Sequence, residues 1–526
     1  DGAVAWPGTP LTKGDGQWYT GVVTVGEDNL IINDNGRQTA DLPFDGGYED
    51  LWVVVDASGN GTDDHIAYLG VKAFDKNDGA NAKRAGEQVL MLVLYDARRN
   101  CVVDKIEIGS VKSWIGNLEQ YAYKTFFSVT AGDYDNDGID EIACTDHNMG
   151  VQMIEIHTDD IELTLRKARH YDWTELVSKD VTEKMKKSVT ASGDIRRRAL
   201  ISLTTGNFDG TGAEELAAAV STNHPGDDDY LPDIPEAYTT QLALLELPLA
   251  EAAHIRTTVV HSTEASEDEE EQDNVVHRVI YAGQIAAGDM DGDRRDEIVV
   301  AGYTGTIEVT AEGEFVSDGY EYDTENIALC YAKLDGNWFG IPAITVDEMT
   351  PFIKEGFFDD TDYARVPLAI DAAKLHGQYG KESVFVGGKV YQFSTEAATP
   401  VYTHAFFEAE SSWSITDAYV EHVTSGVFGG LDPLNDNKPM INEQFVFTVV
   451  EKDNSQNEYN YKVGFISLST NQEADAMSFG DNTKTMNSDG YLLEELVGGL
   501  ETSSGDPDTS YGTALVPVAV DIDEDG

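Results

Sequence analysis

The chain has 526 residues, with 96 acidic against 35 basic side chains and a formal net charge of −61. That charge argues against nucleic acid and anionic membrane surfaces as partners, because both present phosphate to an already negative molecule. The three cysteines (Cys101, Cys144, Cys330) cannot all pair within one molecule. Each lies in an apolar, strand-like stretch, which predicts buried free thiols rather than a disulfide framework. No segment approaches the roughly 18 apolar residues of a membrane helix.

Along the chain, Ala3–Trp6, Trp18–Val25 and Asn29–Ile32 read as strands, followed by a clearer one at Leu51–Val55. Directly after it comes an oxygen-rich phrase, Asp56–Asp64, which recurs at Asp133–Glu141, Asn207–Glu215 and Asp289–Glu297. A last copy, Asp521–Gly526, is cut by the end of the chain. Oxygen side chains at positions 1, 3 and 5, a glycine near position 6 and an acid at position 9 form a cage for a hard cation, which takes six to eight oxygens at roughly 2.3–2.6 Å. With position 7 counted in, the candidate ligands are Asp56, Ser58, Asn60, Thr62 and Asp64 in the first loop and Asp133, Asp135, Asp137, Ile139 and Glu141 in the second. They are Asn207, Asp209, Thr211, Ala213 and Glu215 in the third, and Asp289, Asp291, Asp293, Arg295 and Glu297 in the fourth. The broken copy offers Asp521, Asp523 and Asp525. Asn60-Gly61-Thr62 also matches a glycosylation sequon, but its place inside a cage makes Asn60 a ligand first.

An EF-hand needs a glutamate at position 12 and helices on both sides. Position 12 is Ala67, Cys144, Ala218 and Val300, none of which offers a side-chain oxygen. The acid at position 9 leads instead into short branched runs such as Ile142-Ala143-Cys144 and Ile298-Val299-Val300, so each loop is predicted to join two strands of a hairpin. Further strands are expected at Val89–Tyr95, Val102–Ile108, Leu242–Leu247 and Ile327–Leu334. Trp173–Val189 places Trp173, Val177, Val181 and Met185 every four residues among charges and predicts an amphipathic helix packed on the side of the fold. Arg196-Arg197-Arg198 is expected to pair with neighbouring carboxylates; Asn223–Pro235 and the acidic Glu267–Asp273 read as solvated loops.

First positions lie 77, 74 and 82 residues apart (56 to 133, 133 to 207, 207 to 289). The same step reaches Asp371, where Ala372, Ala373, Lys374 and Leu375 replace the cage but Glu382 still precedes Val384-Phe385-Val386. One more degenerate loop is expected at Leu431–Asn437, ahead of Phe445–Val450, and the broken copy at Asp521 makes a seventh unit. A unit of this length holds about four short strands, which suits a propeller blade better than a solenoid coil.

These residues resemble the FG-GAP/VCBS repeats, the calcium-loop blades of α-integrin propellers and of many secreted microbial proteins. The resemblance is strongest at Asp133 and Asp289 and weakest at Asp371 and Asp432; Arg294 departs from it by replacing the turn glycine. It implies an all-β, seven-bladed propeller spanning residues 1–526 as one domain, with calcium in the loop between the first two strands of a blade. Residues 1–50 are expected to complete the last blade, with Trp18–Val25 beside Ala514–Val520. Lacking an N-terminal signal peptide, the chain is expected to be mature or part of a longer one.

Three to five structural calcium ions are expected, and loops of modest affinity fill at extracellular rather than cytosolic calcium. The expected function is therefore a secreted or cell-surface binding, adhesion or structural module, non-catalytic, whose partner is a protein, a glycan or copies of itself. The alternatives are a self-assembling surface component and a propeller-based polysaccharide lyase or hydrolase. No His-Glu-x-x-His, Gly-x-Ser-x-Gly or P-loop is present. The eleven histidines show no zinc spacing, His147, His157 and His170 being the closest set. Trp114, Trp338 and Trp413 lie near turns, where packing between blades is favoured over sugar binding.

Overall fold

The computed structural model describes the strands and tight turns between residues 51 and 502, one short helix, and four two-residue strands before residue 39. Other residues, among them 111–127, 178–199, 222–239, 349–367, 406–417, 427–442 and 503–526, lie outside the described part. The expected contact of Trp18–Val25 with Ala514–Val520, the loops at Leu431 and Asp521, the arginine triplet, the two solvated loops, Trp114 and Trp413 all depend on such residues.

The protein is all-β. Among the described residues, six antiparallel sheets of four or more strands follow one another in chain order. The first contains Leu51–Val55, His65–Ala73, Gln88–Asp96 and Cys101–Ser110. The second contains Val129–Gly132, Glu141–Thr145, Gly150–Asp159 and Glu162–Asp172, and the third Leu200–Gly206, Glu215–Ser221, Thr240–Glu246 and His254–Val259. The fifth contains Ile370–Ala373, Ser383–Val386, Lys389–Phe393 and Pro400–Ala405. In these four sheets, neighbours in space are neighbours in sequence.

The fourth and sixth sheets have six strands each, which corrects the expectation of about four per unit. In the fourth, Val275–Gly288, Glu297–Val309 and Phe315–Asp335 run to 14, 13 and 21 residues. Strands this long present unpaired edge beyond the reach of neighbours, and the added strands His261–Ala265, Trp338–Gly340 and Ile344–Glu348 pair with it. In the sixth, Ala418–Gly426, Gln444–Asp453 and Glu458–Leu468 are followed by Tyr491–Thr502, which also pairs with Asn482–Met486.

The sheets pack face to face, and their sequences show why. Along Glu141–Thr145 every residue is buried, because successive side chains point to opposite faces and both faces are covered. Ile142 and Cys144 join Leu92, Leu94 and Val55 of the first sheet, whereas Ala143 joins Leu216, Ala218 and Val220 of the third. The third sheet repeats the alternation, sending Ala217 and Ala219 to pack with Ile298 and Val300 of the fourth. This double coverage makes the strand after each loop a continuous apolar run.

Strands preceding the loops also touch one another in chain order, from Leu51–Val55 through Val129–Gly132, Leu200–Gly206, Val275–Gly288 and Ile370–Ala373 to Ala418–Gly426. Polar groups stitch these contacts. Leu203 N donates to Ser128 Oγ at 2.9 Å, Ile285 N to Ser202 Oγ at 3.1 Å, and the Thr130 and Thr205 hydroxyls lie 3.0 Å apart.

Of the expected helix, Trp173–Leu176 is described; Leu176 and Val177 are buried in the core shared by the second and third sheets, while 178–189 lie outside the described residues. Cys144 and Cys330 are free and buried as expected, but Cys101 is exposed. It opens the fourth strand of its sheet, at the edge, where only one neighbour shields it.

The fifth and sixth sheets meet through aromatic rings: fully buried Phe385 lies 5.3 Å from Phe447 and 5.5 Å from Phe445, centroid to centroid. Phe385→Ala is expected to cost about 3–5 kcal/mol in urea unfolding, the range for removing a buried aromatic side chain. A loss under about 1 kcal/mol would show that this interface does not close as described.

Candidate metal centres

Each acidic phrase sits at a hairpin tip. Gly132 pairs with Glu141, Gly206 with Glu215 and Gly288 with Glu297, so positions 1 to 8 form the turn and position 9 begins the next strand. The turn is a ladder of carboxylates capping backbone amides two residues on. Asp135 accepts from Asp137 N at 3.1 Å and Asp137 from Ile139 N at 2.9 Å. Asp209 accepts from Thr211 N, Asp291 from Asp293 N, and Asp293 from Arg295 N in the same way. This local bonding is the ordinary preference of aspartate in turns.

Two positions of each turn have left-handed backbone: position 4 (Gly59, Asn136, Gly210, Gly292) and position 6 (Gly61, Gly138, Gly212, Arg294). Sequence reasoning found the second and missed the first. Arg294 adopts φ 74° where the other loops place glycine, a conformation that costs a side-chain-bearing residue about 1–2 kcal/mol.

Position 2 anchors the tip from inside. Ala57, Tyr134, Phe208 and Met290 are buried, and the last three donate their backbone N–H to the carboxylate at position 9 of the same loop. That acid therefore clasps the start of the turn to its end.

The ligand candidates converge in two loops. One oxygen from each of Asp133, Asp135 and Glu141 lies within 4.8 Å of the others, and the same holds for Asp289, Asp291 and Glu297. Two oxygens bound to one ion at roughly 2.5 Å lie at most about 5 Å apart, so both clusters have the size to hold a metal ion. Oxygen-only donors select hard cations over zinc or copper. In the third loop, Asn207 Oδ1 is buried without a hydrogen-bond partner, aspartates being replaced at positions 1 and 5 by Asn207 and Thr211. Asn60, Thr62 and Asp64 of the first loop and the acids of the broken copy lie outside the described residues.

Register corrects two assignments. In the first loop Val55 pairs with His65, so His65 occupies the place held by Glu141 in the second, and the loop is one residue longer than counting from Asp56 implied. Asp371 lies within the strand Ile370–Ala373, paired with Phe385, rather than opening a loop. Ala373 pairs with Ser383, which makes Lys374 position 1 of the fifth loop and leaves Ser383 where the second, third and fourth loops carry an acid. The step from Asp289 to Lys374 is 374 − 289 = 85 residues, three more than the 82 that pointed to Asp371.

Position 8 proves to be a link between loops. Asp133 N donates to Glu214 Oε2 at 3.0 Å, while Glu214 N donates back to Asp133 O at 3.2 Å. The same reciprocal pair joins Asp56 with Asp140 and Asn207 with Asp296. Glu382 N donates to Asp289 O, and Lys374 N donates to Glu443 Oε2, extending the series through the sixth sheet. Before the second and fourth loops the residue must be small to admit this carboxylate: a Cβ on Gly132 would collide with Glu214 Oε2, and one on Gly288 with Glu382 Oε2. Sequence reasoning counted these acids as charge and missed their role; the signal was an acid beside position 9 together with a glycine before position 1.

Burial shifts the position-9 acids. Desolvation, with repulsion from Asp135, pushes Glu141 up to about 8, and desolvation followed by Asp209 pushes Glu215 up to about 8. Desolvation raises Glu297 as well, opposed by Lys333. Burial also works to raise Asp293, but bonds from Lys333 and Arg295 hold it below the usual carboxylate range.

No family model matches the chain, and no curated protein matches it. Among solved structures, a triple mutant of AofleA from Arthrobotrys oligospora matches at TM-score 0.34 and 7% identity, over 80% of this chain and 84% of that one. Chaetomium thermophilum Sqt1, solved with the N-terminus of a ribosomal protein, matches at TM-score 0.29 and 9% identity, over 85% and 97%. Rhamnogalacturonan lyase YesW matches at TM-score 0.28 and 11% identity, over 66% and 61%. At these TM-scores the likenesses support neither a shared fold nor a shared function.

Two outcomes are expected. Glu214→Ala strands the Asp133 amide and should cost about 1–3 kcal/mol in chemical unfolding, with Glu214→Gln, which keeps an acceptor, losing clearly less. Glu141 and Glu215 bind protons more tightly folded than unfolded between their ordinary value near 4.5 and about 8. Stability of the chelated protein should therefore be fullest at low pH in that window and fall as pH rises through it. Melting curves should show that slope, reduced in a Glu141→Gln/Glu215→Gln double variant; an equal slope in both proteins refutes the assignment.

Proposed function

We propose that the chain is a calcium-stabilised β-propeller of the FG-GAP/VCBS type, with seven blades, that serves outside cells as a non-catalytic binding, adhesion or structural module for a protein or glycan. The observation that carries this reading is the second loop, where three carboxylates converge within bonding reach of one ion at a hairpin tip. The linked repetition of that tip along successive sheets supports the propeller. Strands touching in chain order supply six blades, and the seventh is assigned to residues near the two ends. In this reading calcium acts structurally: it neutralises acids that repel one another in partly desolvated turns and ties the two strands of a blade together. Calcium is favoured over magnesium because a flexible turn mixing carboxylates, hydroxyls and carbonyls suits an irregular shell, whereas magnesium demands near-ideal octahedral geometry.

Chelation tests the reading. Each ion present at about a hundredfold over its Kd contributes about 2.7 kcal/mol. EDTA is therefore expected to lower the melting temperature by several degrees, and calcium to restore it better than magnesium. Asp133→Ala/Asp135→Ala should bind one ion fewer and lose part of the shift. An unchanged melt in EDTA would sink the proposal.

A further inference from the structure

The fourth loop is as acidic as the second, yet it already holds a cation of its own. Lys333, on the strand Phe315–Asp335, brings its ammonium 2.8 Å from Asp293 Oδ2 and 2.9 Å from Glu297 Oε1, and bonds Asp291 as well. Glu297 is fully buried, and the Lys333 ammonium is the positive charge 2.9 Å from its Oε1. Partial burial disfavours the ammonium, but its three carboxylate partners more than offset this and keep it charged.

Register explains why Lys333 arrives there and why the second loop differs. In the fourth sheet Ile298 pairs with Ala332, which sets Lys333 opposite Glu297. In the second sheet Ile142 pairs with Ile154, which sets Glu155 opposite Glu141. In the third, Leu216 pairs with Leu245, giving the same place to Glu246. One register position therefore adds an acid beside the second and third loops and an ammonium beside the fourth. Two further bases, Arg294 and Arg295, lie within the fourth loop, and none lies within the second. The fifth loop repeats the device, with Lys374 Nζ 3.0 Å from Glu382 Oε1.

We propose that Lys333 is the resident cation of the fourth loop, taking the place of a metal ion and keeping one out. The proposal rests on the calcium reading of the other loops and narrows it. The measurement is the number of ions bound per chain at saturating calcium chloride, counted by native mass spectrometry on the full chain. Lys333→Met keeps the length and apolar stem of the side chain and removes the charge; it is expected to bind one more ion than the unsubstituted protein. Lys381→Met, a lysine outside the cage, is expected to leave the count unchanged. Equal counts for Lys333→Met and the unsubstituted protein overturn the proposal. A count of zero in the unsubstituted protein with one in Lys333→Met would defeat the calcium reading of the other loops while upholding the role of Lys333. Should Lys333→Met fail to fold, Lys333→Gln, which keeps donors but not charge, is counted in its place.

Discussion

Negative charge gathered at hairpin tips and drawn partly out of water is the constraint on which the rest of this structure depends. The tips at Asp133, Asn207 and Asp289 each crowd two to four carboxylates into a turn of eight residues, and their mutual repulsion rises as the environment dries. The chain meets that repulsion first with its own backbone. Asp56, Asp133 and Asp289 each accept at least two amide hydrogens of their own turn, and the acids at position 9 accept one or two more. What backbone dipoles leave over is relieved by the raised proton affinity of Glu141 and Glu215 and, at the fourth loop, by the ammonium of Lys333.

The second organising fact is that every interior sheet is covered on both faces. A strand such as Glu215–Ser221 has no solvent side, and its run of Ala217, Ala218 and Ala219 keeps side chains small where two neighbours press against it. Hairpin tips consequently stand close together, near enough for the position-8 acid of one to reach the position-1 amide of the previous one. Packing of the apolar runs thus creates the polar series of links at the tips.

Much of this was legible in the residues themselves. Spacing of oxygens in Asp133–Glu141, followed by a branched apolar run, was enough to place an acidic loop at a hairpin tip, because both signals are local. Missing features involve residues distant in sequence or small shifts of register. The Glu214 link joins residues 81 apart in sequence, and Lys333 lies 40 from Asp293; in neither case does the local sequence name the partner. Asp371 misled because it matched the period while the strand pairing, which decides the loop's origin, placed Lys374 there instead. The side-chain burial of Cys101 was overestimated because a strand's apolar composition does not reveal whether it lies at the edge.

Reciprocal bonding between tips also gives the rim a defined mechanics. Each link joins only adjacent loops, so the tips form a one-dimensional array whose members are stabilised by nearest neighbours. A tip such as that at Asn207 is held from both sides and must break two links to swing open, so the opening of one hairpin loosens the tip before it and the tip after it.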